Sequence, residues 1–287
     1  MRLLIDGDIL CWRAGFACEK TKYLVTVQEE IVCDSDSKMC EDAKQAKDLA
    51  AAFGRPAYIW SRKDLEPEDK ALMLADVMIG DIYSRYAEQQ PDVIIYLSGS
   101  TNFRTRIATR ATYKGNRSSS VPPTHLKAIR AHLITKHGAV VSEGEEADDL
   151  LGITMTDYPD SVLCSIDKDL MQLPGRHYNF VTKEEVNVSP KEAVLNFYCQ
   201  VLTGDSTDNI PGLSGIGPVK AKRALEGCNS PQACWQKCVQ MYESEFGKKG
   251  TDYAVECAQL VFVRRKKGQI WDFGCETNKA KKEAVAA

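Results

Sequence analysis

Two short apolar runs each end on an aspartate, and this pairing constrains the chain more than any other feature. Leu3-Leu4-Ile5 leads into Asp6, and Val162-Leu163-Cys164-Ser165-Ile166 leads into Asp167. Short apolar runs with polar ends read as strands buried on both faces, and such strands belong in parallel sheets. Val93–Leu97 is a third run of this kind, and Ala139–Val141 a shorter one. Helical periodicity over Pro67–Gln90, Thr124–Lys136 and Glu145–Leu151 separates them. The alternation predicts an α/β fold, a parallel sheet flanked by helices. Parallel sheets bind ligands at the carboxyl ends of their strands, so Asp6 and Asp167 should share that edge.

Past Ser189 the pattern turns wholly helical: Pro190–Leu202, Pro218–Glu226, Pro231–Phe246 and Asp252–Val263, broken by glycine turns. The expected organisation is a sheet domain over residues 1–189 and a helical subdomain over 190–287. Residues 20–90 hold an insertion, β-prone at Tyr23–Val32 and helical at Glu41–Phe53. The Lys/Ala/Glu-rich end, Asn278–Ala287, is expected to fray. A chain of 287 residues is long enough to bury a sizeable core. Its net charge of −3 gives no whole-chain signature of nucleic-acid binding. Asp6 and Asp8 interrupt what would be the apolar core of a secretion signal. Reduced thiols in a cytoplasmic protein are therefore expected for the eleven cysteines. Cys228, Cys234 and Cys238 cluster without a CxxC pair or a nearby histidine, so they read as small buried side chains rather than zinc ligands. No apolar run reaches the ~18 residues of a membrane span, and no membrane association is expected.

Four acidic groups stand at strand ends or turns. Asp6 is the first. Glu143, Glu145, Glu146, Asp148 and Asp149 place five acids in seven residues with no base among them. Asp167 and Asp169 follow a strand, and Asp205 and Asp208 precede a glycine-rich turn. On a helix, Glu146 and Asp149 share a face, as do Glu145 and Asp149. Two like charges ~4 Å apart repel by about 4 kcal/mol at an effective dielectric of ~20. Divalent cations would remove that penalty, and hard oxygen ligands favour Mg²⁺ or Mn²⁺. Singly, each group has a plainer reading: a solvated helix start for Glu143–Asp149, turn and cap residues for Asp205 and Asp208, a helix cap for Asp167. Their common placement favours the metal reading.

Gly212-Leu213-Ser214-Gly215-Ile216-Gly217-Pro218-Val219-Lys220-Ala221-Lys222-Arg223 reads as a helix-hairpin-helix. Gly215 and Gly217 let the backbone approach a phosphate, and Pro218 suits the first turn of the next helix. Lys220, Lys222 and Arg223 add positive charge. Contacts of this kind go to the phosphate backbone and carry no sequence code. A plain αα-hairpin is the alternative. Upstream, Arg104, Arg106, Arg110, Lys114 and Arg117 form a loop without acids, interleaved with Phe103 and Tyr113. A nucleic-acid groove uses this mix of charge and stacking surface. Beside metals, Lys114 and Arg117 would stabilise charge developing on a phosphate. Arg264–Lys267 reads as a solvated helix end or a peripheral DNA contact.

In this order, Leu4-Ile5-Asp6-Gly7, Tyr113-Lys114-Gly115-Asn116-Arg117, Glu146-Ala147-Asp148-Asp149, Ser165-Ile166-Asp167-Lys168-Asp169 and Gly204-Asp205-Ser206-Thr207-Asp208-Asn209-Ile210-Pro211-Gly212 resemble the motifs of the 5′-nuclease or flap endonuclease family. That family includes bacteriophage 5′–3′ exonucleases and the 5′-nuclease domain of bacterial DNA polymerase I. The resemblance implies a PIN-like fold followed by a helix-hairpin-helix subdomain. It implies a metal pair among Asp6, Glu146, Asp148, Asp149, Asp167 and Asp169, with Asp205 and Asp208 completing the second site. Lys114 and Arg117 match the residues that engage the scissile phosphate. Arg104, Arg106 and Arg110 join the hairpin residues as DNA contacts, and the hairpin grips duplex DNA around a K⁺ ion.

The implied activity is 5′–3′ exodeoxyribonuclease cleavage giving 5′-phosphates, with flap endonuclease cleavage beside it, in replication or recombination. The implied partners are duplex DNA with a 5′ end or flap and RNA–DNA hybrids, with the enzyme a monomer. A PIN-type ribonuclease and a non-catalytic DNA-binding pseudo-nuclease are the rival readings. Two departures stand out. The family's aspartate after the second strand is missing, with only Ser98 or Ser100 in its place, so that ligand is weakened or Asp8 takes on part of its role. The stretch from Arg117 to Thr124 is short, which favours exonuclease action over a helical arch threading a flap.

Overall fold

In the computed structural model, which describes residues 1–26, 37–53, 57–119 and 121–273, β1 (Arg2–Asp6) lies inside the main sheet. Leu3, Leu4 and Ile5 are fully buried, as a strand covered on both faces requires. From β1 the chain enters α1 (Gly7–Ala17). It continues through β2 (Glu19–Thr26), β3 (Ser37–Cys40), α2 (Ala43–Ala52), β4 (Tyr58–Leu65) and α3 (Glu68–Arg85). Next come β5 (Asp92–Leu97), the single-turn α4 (Arg104–Ile107), α5 (Leu126–His137), β6 (Val140–Val141), α6 (Ala147–Asp157) and β7 (Val162–Cys164). The hairpin β8 (Gly175–Asn179) and β9 (Glu184–Val188) precedes α7 (Pro190–Thr203), α8 (Pro218–Ala224), α9 (Pro231–Phe246) and α10 (Gly250–Val261).

The main sheet has six strands in the order β6-β5-β1-β7-β8-β9. All neighbours are parallel except the β8–β9 pair. Leu4 pairs with Ile94 of β5 on one side and Leu163 of β7 on the other. The strand order reverses at β1, and connections leaving its carboxyl end in opposite directions open a crevice there. Asp6 sits at that crevice.

The described residues divide into two compact units. The first comprises, of the described residues, those within 1–9, 80–121 and 133–273, so the expected boundary near residue 190 falls inside it. There Leu4, Tyr96, Leu151, Met155 and Leu163 form one core against the sheet. Phe197, Tyr198, Trp235, Tyr242 and Trp271 lead a second, helical core that also buries Cys234 and Cys238. Two helix starts in this part have a clear local cause. Ser189 caps α7 with a reciprocal Glu192 contact and Pro190 in the first turn, and Ser230 caps α9 ahead of Pro231.

The second unit, residues 10–79 with 122–132, gives the unassigned insertion a structure. It carries an antiparallel sheet, β3-β2-β4, with α2 packed on Val25 and Cys40. β4 escaped the sequence reading because its side chains are almost all exposed and show no alternation. The β-prone reading of Tyr23–Val32 is met as far as Thr26, and 27–32 lie outside the described residues, as does 274–287. No described helix is long and apolar enough to cross a membrane.

One buried ion pair ties the helical part of the first unit to its sheet. Arg104, 3% exposed, donates to both Asp149 oxygens at 2.7 and 2.9 Å, and to the carbonyls of Leu260 and Phe262 at 2.8 Å each. Asp149 also accepts the backbone N–H groups of Glu146 (3.0 Å) and Arg264 (3.1 Å). Burial alone would raise the Asp149 carboxyl, but the guanidinium and these hydrogen bonds hold it below the usual carboxylate range. Removing one partner of such a pair strands the other charge. Arg104→Met should lower the unfolding free energy by about 3–5 kcal/mol in urea titration; a loss under ~1 kcal/mol would show that the pair does not brace the fold.

Candidate metal centre

Asp6 ends β1 with its carboxylate turned into the crevice, 2% exposed. It accepts the Ile9 N–H (3.1 Å) and the Ser165 hydroxyl (2.7 Å). Burial nevertheless pushes it up to about 7, with Asp8 and Asp167 adding to the rise. Asp167 follows β7 and caps a short 3₁₀ turn, accepting the Asp169 N–H at 2.8 Å. Asp169 is pushed up to about 7 by burial and by Asp167 and Asp205. Asp148, in the first turn of α6, is raised by burial and by Asp6, Asp167 and Glu146. Each of these acids therefore feels the others, and Lys168 offsets the rise of Asp167 and Asp169 only in part. A hollow of about 30 Å³ opens among them, lined by Glu146, Asp148, Asp169, Asp205 and Asp208 together with Arg104 and Tyr113.

The five acids of 143–149 part company in the structure. Glu143 is exposed. Glu145 is buried against Arg264 (3.0 Å), and Asp149 is committed to Arg104. Only Glu146 and Asp148 face the hollow. Helical spacing placed Glu145, Glu146 and Asp149 near one another but did not show which had found an arginine. Asp149, expected as a metal ligand, has both oxygens engaged by Arg104 and two backbone N–H groups, so its role is to set the first turn of α6.

Basic side chains close one side. Lys114 pairs with Glu146 and lies 3.6 Å from Asp208, and Arg117 pairs with Asp208. The Tyr113 hydroxyl stands 2.7 Å from both Glu146 and Asp208, linking the two acidic groups. The sequence marked Tyr113 only as stacking surface; a bridging hydroxyl leaves no sequence signal. The loop is fixed by the Lys114 N–H on the Asp208 carbonyl (2.8 Å) and the Asn116 amide on Ser206 (2.6 Å). Lys114 takes the left-handed conformation, φ 55°, next to Gly115.

The rest of the expected basic loop is not one surface. Arg104 is buried, and Arg110 donates to the Pro211 carbonyl (2.7 Å) while lying over the Tyr253 ring. Arg106 is exposed. Arg264 is buried rather than solvated, stacked 3.5 Å from the Phe103 ring centre. In the glycine turn, Gly215 has φ 66°, a conformation L residues rarely take, and Gly217 caps α8. Lys220 reaches back to the Gly215 carbonyl at 2.8 Å. Lys222 and Arg223 lie elsewhere, along a groove beside α7.

Ser98 does not replace the missing aspartate. Its hydroxyl accepts the Ala147 N–H (2.9 Å) at the start of α6, and Ser100 is exposed. Asp8, from the first turn of α1, accepts the Ser98 N–H at 2.9 Å and so brings a carboxylate to the end of β5.

No family model matches the chain. Over 137 residues it is 34% identical to a DNA polymerase I of Rhizobium leguminosarum, spanning 40% of this chain and 13% of that one. Over 160 residues it is 29% identical to a 5′–3′ exonuclease of Buchnera aphidicola, spanning 49% of this chain and 54% of that one. The chain thus matches only about half, or much less, of these relatives' length. In structure it is similar to T5 5′-exonuclease with bound divalent zinc, at a TM-score of 0.54 and 15% identity, over 91% of this chain and 88% of that one. Likeness at that identity establishes the fold, which is the expected PIN-like α/β sheet with a helical part after it. In sequence and in fold alike, the chain resembles the 5′-nuclease family.

Proposed function

We propose that the chain is a divalent-metal-dependent nuclease that hydrolyses DNA phosphodiesters from or near a 5′ end, leaving 5′-phosphates. The observation that carries this reading is the convergence of Asp6, Asp148, Asp167, Asp169 and Asp205 at the carboxyl edge of β1 and β7, where burial and mutual repulsion raise Asp6, Asp148, Asp167 and Asp169 even though Lys168 draws Asp167 and Asp169 down. An all-oxygen donor set of this kind fits Mg²⁺ or Mn²⁺ and disfavours soft metals. Asp6, Glu146, Asp148, Asp167 and Asp169 would hold one ion, and Asp205 with Asp208 would complete a second. Asp8, held by the Ser98 N–H, would supply the carboxylate that β5 itself lacks. Bound ions would activate water and offset charge on the leaving 3′ oxygen.

The chain's own groups have separate tasks. Lys114 and Arg117, half-exposed and exposed at the rim, can exchange their carboxylate partners for a phosphate and neutralise it. Tyr113 holds Glu146 and Asp208 in fixed relation. Arg104, through Asp149, sets the turn that presents Glu146 and Asp148. The glycine turn and Lys220 would grip the duplex backbone without reading bases. The Gly215 carbonyl already accepts the Lys220 ammonium, which weighs against a K⁺ ion sharing that oxygen. Between the 3₁₀ turn Gly115–Ser119 and α5 the chain is short, which favours exonuclease action over the threading of a flap.

Asp167→Ala should abolish Mg²⁺-dependent release of nucleotides from a 5′-labelled duplex while leaving duplex binding at moderate salt unchanged. Turnover within tenfold of the parent would refute the site. Lys220→Ala should weaken binding equally for all sequences and reduce the salt slope of log K by about 1; an unaltered slope would remove Lys220 from the phosphate contacts.

A further inference from the structure

The helical part carries a groove that the proposed chemistry does not use. It measures about 800 Å³ and lies between α7, α8 and the start of α9. Val194, Leu195, Val219, Leu225 and Cys234 give it apolar walls. Lys191, Lys222 and Arg223 stand on its rim against one acid, Glu226.

On α8, Val219, Lys222 and Arg223 fall at i, i+3 and i+4, one face of the helix. Lys220 is off that face, folded back on the glycine turn. The same short helix therefore serves two surfaces. Lys222 also helps to depress the Glu192 carboxyl of α7, after the Ser189 hydrogen bonds. Val219 is 75% exposed, more than any other large apolar side chain among the described residues.

The occupant must satisfy both features. Duplex DNA offers phosphates to the rim but no apolar side chain to the walls. An acidic peptide with apolar anchors offers both, in the manner of grooves that take a helix or an extended segment. The chain as a whole carries −3, yet the groove's lining sets Lys191, Lys222 and Arg223 against Glu226, and even with Glu192 of α7 acting on Lys222 the cations outnumber the acids, a local reversal that selects an acidic partner. We propose that the groove docks a short acidic segment of a partner protein. Its apolar side chains would sit on Val194, Leu195 and Val219, and its carboxylates would meet Lys191, Lys222 and Arg223.

Panning random twelve-residue peptides against the full chain tests this. Lys191→Glu with Leu195→Glu is the counter-selection, and Lys191→Glu alone serves if the double variant unfolds. Residue 191 is exposed in the first turn of α7, where an acid suits the helix dipole, so the single change leaves folding intact. The enriched peptides should pair Asp or Glu with Leu, Ile, Phe or Trp. Their affinity by fluorescence anisotropy should fall at least about tenfold in Lys191→Glu, with duplex binding unchanged. The proposal is overturned if nothing is enriched, if the peptides show no acidic bias, or if they bind the variant equally well. It is also overturned if Lys191→Glu weakens duplex binding and DNA displaces the peptides, which would make the groove part of the DNA surface.

Discussion

Carboxylates crowded and buried at one sheet edge, raised by burial and by one another, are the constraint around which the rest of this structure is arranged. Asp6 and Asp167 stand there because their strands run parallel and adjacent, so both must end on the same side. Asp148 and Glu146 arrive with the first turn of α6, and Asp205 and Asp208 with the loop after α7. At about 4 kcal/mol for each pair of like charges ~4 Å apart, such a cluster is unstable unless cations occupy it or protons do. The carboxyls of Asp6 and Asp169 are raised first by burial and further by the neighbouring carboxylates.

Around this core the acids sort into two kinds. Glu145 and Asp149 have buried arginine partners and act as structural members. Asp6, Asp148, Asp167 and Asp169 have none of that compensation and rise instead. Glu146 and Asp208 are intermediate. Glu146 lies 3.2 Å from the buried Arg104 as well as against Lys114, and Asp208 pairs with Arg117; Lys114 and Arg117 sit at the rim, where a phosphate can displace a carboxylate. The Arg104–Asp149 pair is therefore a link between fold and chemistry: it fixes α10 to α6 and, through the Glu146 N–H, fixes the turn that carries two members of the cluster.

Much of this was legible in the sequence because it rests on local signals. Strand runs that end on acids, helical runs that open on proline and the glycine turn all have short-range physical causes, and the corresponding elements stand within a few residues of expectation. What stayed hidden depends on distant partners. Nothing near Arg104 shows that it will be buried against Asp149 and two carbonyls of α10 and its end, so it read as a DNA contact. Arg110 and Arg264 were misread for the same reason. The Tyr113 hydroxyl, the role of Asp8 and the antiparallel sheet of residues 19–65 likewise follow from tertiary contacts without periodic trace.

Whether these acids hold divalent ions is tested, without relying on turnover, by Mn²⁺ binding followed by calorimetry and electron paramagnetic resonance. Two Mn²⁺ ions per chain should bind, with one lost in Asp205→Ala/Asp208→Ala and both weakened in Asp6→Asn. An absence of Mn²⁺ binding, or binding that these substitutions leave untouched, would contradict the account.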